Sequence, residues 1–157
     1  MPPKLLMQLD SVDTDNIIAG SEEIRQFNPQ RYEFEQLDGI IYFDPESKLA
    51  AGMKEVGEDE FWVRGHIPGR PLYPGVLMCE SAAQLCSYYF KKVTETEKFL
   101  GFGGLDGVKF RGEVKPGDRF IVLAKEVKIG RRRAVFDCQG VVDGRLVFQG
   151  KVTGMPM

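Results

Sequence analysis

The sequence predicts an α+β fold in which an antiparallel sheet wraps one long, buried helix. Two observations carry this. The run from Gly75 to Phe90 is almost wholly apolar or small, with Glu80 as its one charge, and Lys91-Lys92 closes it. A helix apolar nearly all round is buried nearly all round. Downstream come four strand-like runs, 98–110, 118–129, 132–142 and 145–154, separated by "KPGD", "IGR" and "VDGR". Those breaks are turn chemistry, and "VDG" between alternating strands signals a hairpin. One helix against several consecutive antiparallel strands makes the α+β class.

The elements follow in chain order. The segment to about Pro29 is mixed, and its "DSVDTDN" cluster lacks the alternating acids, the glycine and the closing glutamate of a calcium loop. It reads as a solvated turn, with a short helix at "SEEIRQF". "DGIIYFD" (38–44) and "SKLAAGMKEV" (47–56), joined by the "DPES" turn, read as a hairpin of two strands. Pro74 suits the first position of the long helix, because its missing N–H has no partner to lose there. About 17 residues of helix span roughly 25 Å, and the two lysines complement the dipole at its far end.

Bulk properties exclude several classes. A chain of 157 residues fits one domain, 1–157, with a core of its own. Its 43% hydrophobic and 28% charged content are those of a globular protein, and a net charge of −2 gives no general attraction to nucleic acid or anionic membrane. Cys79, Cys86 and Cys138 are odd in number and lack metal-ligand spacing, so they read as reduced core thiols and no metal is expected. No signal-like or membrane-spanning run is present, and a cytoplasmic location is expected.

The chemistry concentrates in "GHIPGRPLYPGVLMCE", 65–80. His66 is the one histidine in the chain, and three prolines, Pro68, Pro71 and Pro74, follow it. Proline restricts its own φ and the residue before it, so the imidazole sits on a stiff segment, as a general base requires. A lone histidine is also often a satisfied core or loop residue, and that reading stands beside the first. Glu80 falls inside the apolar helix, where a carboxyl without a cationic partner has its pKa raised and can hold a proton near neutral pH. The alternative is a Glu80 held by a local hydrogen bond, for instance from Gln84 one turn on, or by an arginine. Between them, the N–H groups of Gly75 and Val76 at the helix start have no intrahelical acceptors and face a developing oxyanion with the positive end of the dipole. Base, proton-bearing acid and oxyanion donors are the parts needed to remove a proton α to a carbonyl and expel a β-hydroxyl.

"GHIPGRPLYPGVLMCESAAQ" resembles the active-site signature of the 3-hydroxyacyl-[acyl-carrier-protein] dehydratases of fatty-acid synthesis, the FabA/FabZ-like family. The likeness extends through "FNPQRYEFEQLDGI" and "GLDGVKFRGEVKPGD" and covers about residues 27–154, leaving 1–26 as an extension of unassigned role. The resemblance implies a hot-dog fold, a homodimer with two interfacial sites that can assemble into a trimer of dimers, and no cofactor. It implies His66 and Glu80 as catalytic residues contributed by different protomers, Gly75 as the thioester carbonyl donor, and Val76 and Gln84 as substrate-binding. Ile67 stands where the family has phenylalanine, and "CES" where it prefers "VEA"; both bear on chain length more than on chemistry. The acyl carrier protein is acidic, so Arg131, Arg132 and Arg133 at the "IGRRRAVF" turn, with Arg111 and its neighbours Lys109 and Lys115, are candidate carrier contacts; a solvated hairpin tip is the plainer reading. Competing readings are a hot-dog thioesterase, a hydratase acting on coenzyme A esters, and a non-catalytic acyl-thioester-binding module. A Cys79 nucleophile is disfavoured by apolar neighbours that lower no pKa.

Overall fold

The computed structural model describes residues 3–157. Its elements are β1 (Ala19–Gly20), α1 (Ser21–Phe27), β2 (Gly39–Asp44), β3 (Leu49–Glu55), α2 (Gly75–Thr94), β4 (Leu100–Phe110), β5 (Arg119–Ile129), β6 (Ala134–Val142) and β7 (Arg145–Pro156). The strands form one sheet of seven in the order β1-β2-β3-β5-β6-β7-β4, antiparallel at every pairing. The expected runs of strand and the short helix are all present. The order is not sequential, however: β4, the first strand after α2, crosses to the far edge and pairs with the last strand, β7. That crossing wraps the sheet around the helix, giving the hot-dog arrangement.

Turn chemistry sets the register. Asp143 and Gly144 close the β6–β7 hairpin, both at positive φ (49° and 75°), as a primed two-residue turn requires. Along β5, Phe120, Val122 and Ala124 face α2 while Ile121 and Leu123 face away, yet all are buried. The second cover, on the outer face, is the chain's own beginning. Leu5, Leu6, Met7, Leu9 and Val12 pack on Ile41, Ala51, Met53, Ile121, Leu123 and Val141. Gln139 ties this segment down, accepting the Leu6 N–H at 2.8 Å and donating to the Lys4 carbonyl at 3.0 Å. Within the stretch whose role the sequence left open, residues 5–12 are thus a strap over the sheet.

Helix α2 departs from expectation at both ends. Pro74 is not its first residue but the cap before it, extended at φ −59°, ψ 133°. The helix also runs past Lys91 and Lys92 to Thr94 and stops where Glu95 turns left-handed at φ 56°. Lysines in a last turn complement the dipole and do not break a helix. From Met78 to Phe90 only Glu80 and Ala83 escape full burial, and with Val76 they form one strip at i, i+4, i+7. Cys79, Cys86 and Cys138 are buried free thiols, with 3.5 Å between the sulfurs of Cys86 and Cys138.

Candidate active site

The segment between β3 and α2 carries His66 on a framework of turns. The Trp62 carbonyl accepts the His66 N–H at 2.8 Å, and Arg70 N–H closes a turn onto the Ile67 carbonyl at 2.9 Å. Pro68 and Gly69 (φ +83°) occupy the centre of that turn, the pairing a type II turn favours. Ile67 itself is at φ +59°, a costly region for a β-branched side chain, so the backbone beside the histidine is over-determined by its surroundings. His66 Nδ1 lies 2.8 Å from the Leu72 carbonyl oxygen. A carbonyl only accepts, so Nδ1 carries a proton, and in the neutral tautomer this contact selects, the lone pair is on Nε2.

The hook is anchored by a residue the sequence reading missed. Tyr73 is buried, donates its N–H to the Val114 carbonyl at 2.6 Å and packs against Trp62 and Phe120. Its hydroxyl lies 2.8 Å from both Gln36 Oε1 and Ser81 Oγ, and Ser81 donates to the Gln36 carbonyl at 2.7 Å. Burial raises the Tyr73 pKa, so the group stays a neutral donor. The available signal was a tyrosine in an apolar stretch, since a buried phenol needs a partner for its tip.

At the helix start, Leu77 and Met78 N–H both reach the Pro74 carbonyl, at 2.9 and 3.2 Å. Among the described residues the N–H groups of Gly75 and Val76 have no acceptor, as the first turn of a helix dictates. These two residues line a cavity of about 360 Å³ with Leu72, Met78, Phe110 and Val114. The cavity depends on glycine: a Cβ at position 75 would lie 2.8 Å from two carbons of the Phe110 ring.

Glu80 is half-buried and forms no ion pair among the described residues. Burial raises its pKa from the ordinary glutamate value, against a smaller lowering by a hydrogen bond from Gln84. Gln84 Nε2 donates to Glu80 Oε1 at 2.8 Å and to the Phe34 carbonyl at 2.6 Å, while Gln84 Oε1 accepts the Gln36 N–H at 2.9 Å. Both amide protons are committed and the side chain is buried, so Gln84 sits behind Glu80 and orients it. The local hydrogen bond and the raised pKa, posed as alternatives from sequence, coexist.

No hydrogen bond joins His66 to Glu80 among the described residues. Arg131, Arg132 and Arg133 are exposed in the β5–β6 turn, in none of the chain's ion pairs among the described residues. That turn sits at the end of the sheet that carries Leu100 and Pro156, whereas the hook joins the end that carries Phe110 and Val147. The ends are the length of β6 apart, roughly 27 Å. Arg111 is exposed at the hook end, its guanidinium donating to Gln149 Oε1 at 2.7 Å.

These features, with the helix wrapped by its sheet, are those of hot-dog proteins, and solved structures agree. A chain of the dehydratase heterocomplex ApeI:P from Xenorhabdus doucetiae superposes with a TM-score of 0.72 at 12% identity, covering 85% of this chain and 90% of that one. A putative thioesterase, a phenylacetic acid degradation-related protein from Ralstonia eutropha, gives 0.61 at 16% identity over 74% and 82%. A mutant thioesterase from Pseudomonas aeruginosa gives 0.60 at 18% identity over 76% and 81%. At these identities the likeness is one of fold, and it spans dehydratases and thioesterases. The family is given by the FabA-like domain model, which matches residues 28–151. This chain belongs to the FabA-like family.

Proposed function

We propose that the protein is a 3-hydroxyacyl-[acyl-carrier-protein] dehydratase, a hydro-lyase that converts 3-hydroxyacyl thioesters to trans-2-enoyl thioesters in cytoplasmic fatty-acid biosynthesis. The observation that carries the reading is Glu80, a carboxyl whose burial favours its protonated form and whose one polar partner among the described residues is an amide. A thioesterase would use an acid to activate water, which calls for an ionised carboxylate; a leaving hydroxyl needs a proton donor.

In the proposed reaction His66 Nε2 removes the C2 proton, and the electron pair moves toward the thioester carbonyl. The N–H groups of Gly75 and Val76 receive the developing oxygen charge. Glu80 then protonates the C3 hydroxyl, the C–O bond breaks, and water leaves as the C2–C3 double bond forms. The proton on His66 returns to the Glu80 carboxylate through solvent, completing the cycle. Gln84 holds Glu80 Oε1, which leaves Oε2 to bear the proton.

The reading includes a homodimer in which Glu80 is contributed by the partner protomer. It is supported by β4, which has no neighbour on its outer edge among the described residues and exposes Phe102, Leu105 and Phe110. An unpaired edge of this length with apolar side chains is a template for a second chain. Antiparallel pairing of two β4 edges would set the arginine turn of one protomer beside the hook of the other, so an acidic carrier held by Arg131–Arg133 would deliver its acyl group across the interface. The test is incubation with carrier-bound 3-hydroxyacyl substrate and mass analysis of the products. Loss of water is expected; release of free acid or of nothing would overturn the reading. His66→Ala or Glu80→Gln with near-wild-type turnover would overturn the assigned roles.

A further inference from the structure

Two large aromatic side chains stand uncovered in the segment before β2. Tyr32 is 87% exposed and Phe34 is 59% exposed, and both belong to one 3-10 turn, Tyr32–Phe34. The turn is firmly held. The Arg31 guanidinium donates to the Asn28 and Gln30 carbonyls at 2.8 Å and to the Arg25 carbonyl at 3.1 Å. Tyr32 is kept at φ 58°, a conformation that a bulky residue adopts only at a cost. A held turn that spends strain to present exposed rings marks a binding surface.

The position of that surface is set by one nitrogen. Gln84 Nε2 donates to the backbone carbonyl of Phe34 and to Glu80 Oε1. The acid and the aromatic turn are therefore neighbours through a single amide. Val76, one turn before Glu80 on the same helix face, is exposed as well. Exposed residues of two elements thus lie close to the carboxyl: Phe34, whose backbone shares an amide with it, and Val76 on its own helix.

In the proposed reaction Glu80 meets the hydroxyl on C3. Whatever is bonded to C3 on the side away from the thioester must then pass the side chains next to Glu80. We infer that Phe34 and Tyr32 form an aromatic wall against the carbon chain beyond C3, and that they set the preference for acyl groups with long apolar tails. This rests on the dehydratase reading and adds specificity-determining residues to it.

Removing one methylene from water is worth about fourfold in an equilibrium or rate ratio. A wall covering three or so carbons would therefore give roughly 50-fold selectivity for long over short substrates. The test measures kcat/KM for a series of 3-hydroxyacyl thioesters of increasing length, with Phe34→Ala, the milder Phe34→Leu, and Tyr32→Ala. The long-to-short ratio is expected to fall by about tenfold in Phe34→Ala and by less in Phe34→Leu. An unchanged ratio overturns the inference. So does an equal loss at every length, which would mean that Phe34 acts only through its carbonyl on Gln84. Dissociation of the dimer in step with the loss, seen by light scattering, would make the rings a subunit contact instead. If the wild type dehydrates no substrate, the dehydratase reading fails. Calorimetric binding of saturated acyl thioesters lacking the hydroxyl then decides the wall alone: affinity should rise with length in the wild type and less steeply in Phe34→Ala.

Discussion

Replacing Gly75 by alanine separates stability from chemistry. An ideal Cβ there would stand 2.8 Å from two carbons of the Phe110 ring and 3.1 Å from a third. In a closed core such overpacking costs about 1–3 kcal/mol. Phe110 is half exposed and lies at the end of a flexible side chain, stacked on Phe148 with ring centres 5.9 Å apart. The ring can swing aside, so the low end of that range applies. Exchanging a helical glycine for alanine returns about 0.5–1 kcal/mol through lower chain entropy and better helix propensity. The two nearly cancel, and the unfolding free energy is expected to change by about 1 kcal/mol or less. The reaction should not escape so lightly. A methyl group and a displaced ring would stand where the substrate oxygen approaches the N–H, and losing one oxyanion donor costs about 10²–10³ in kcat. Urea unfolding and steady-state dehydration on the same variant are the assays. A kcat within about threefold of the wild type, at similar stability, would refute the role given to this N–H. A large loss of stability would refute the claim that Phe110 yields.

Three further outcomes are expected. Because burial raises the Glu80 pKa, the native state keeps a proton that the unfolded chain has lost between the ordinary carboxylate value and the raised one. Stability therefore falls as pH rises through that window, and Glu80→Gln should unfold at a higher temperature than the wild type at neutral pH, the gain vanishing in acid, while turnover is lost. Tyr73→Phe leaves Gln36 Oε1 buried without its donor and should cost about 1–3 kcal/mol in chemical denaturation; a change within error would mean that water replaces the phenol. Reversing Arg131, Arg132 and Arg133 to glutamate should raise KM for carrier-bound substrate and leave KM for a small thioester mimic in place, and an equal change in both would remove the carrier from that turn.

The family signature and the helix were legible because they rest on local information. The near-absence of charge from Gly75 to Phe90, the turn residues between strands and the linked motif around His66 and Glu80 are each written in contiguous residues. So was the direction of the Glu80 shift, since one acid among apolar neighbours is desolvated wherever the helix packs. The bounds of α2 were less so: proline both caps and starts helices, and lysines at a helix end do not stop it.

What tertiary structure alone decided are relations between residues distant in sequence. The strap of residues 5–12 has no periodicity of its own, and its purpose emerges only when the outer face of β3, β5 and β6 needs a cover. The crossing of β4 to the far edge is a choice among strand orders that turn residues do not encode. From sequence Gln84 could bind substrate or hold Glu80 one turn away; its amide points at Glu80 because the Gln36 N–H and the Phe34 carbonyl, some fifty residues earlier, fix its direction. A sequence states which groups can donate and accept; the fold decides who meets whom, because hydrogen bonds are satisfied in space and not along the chain.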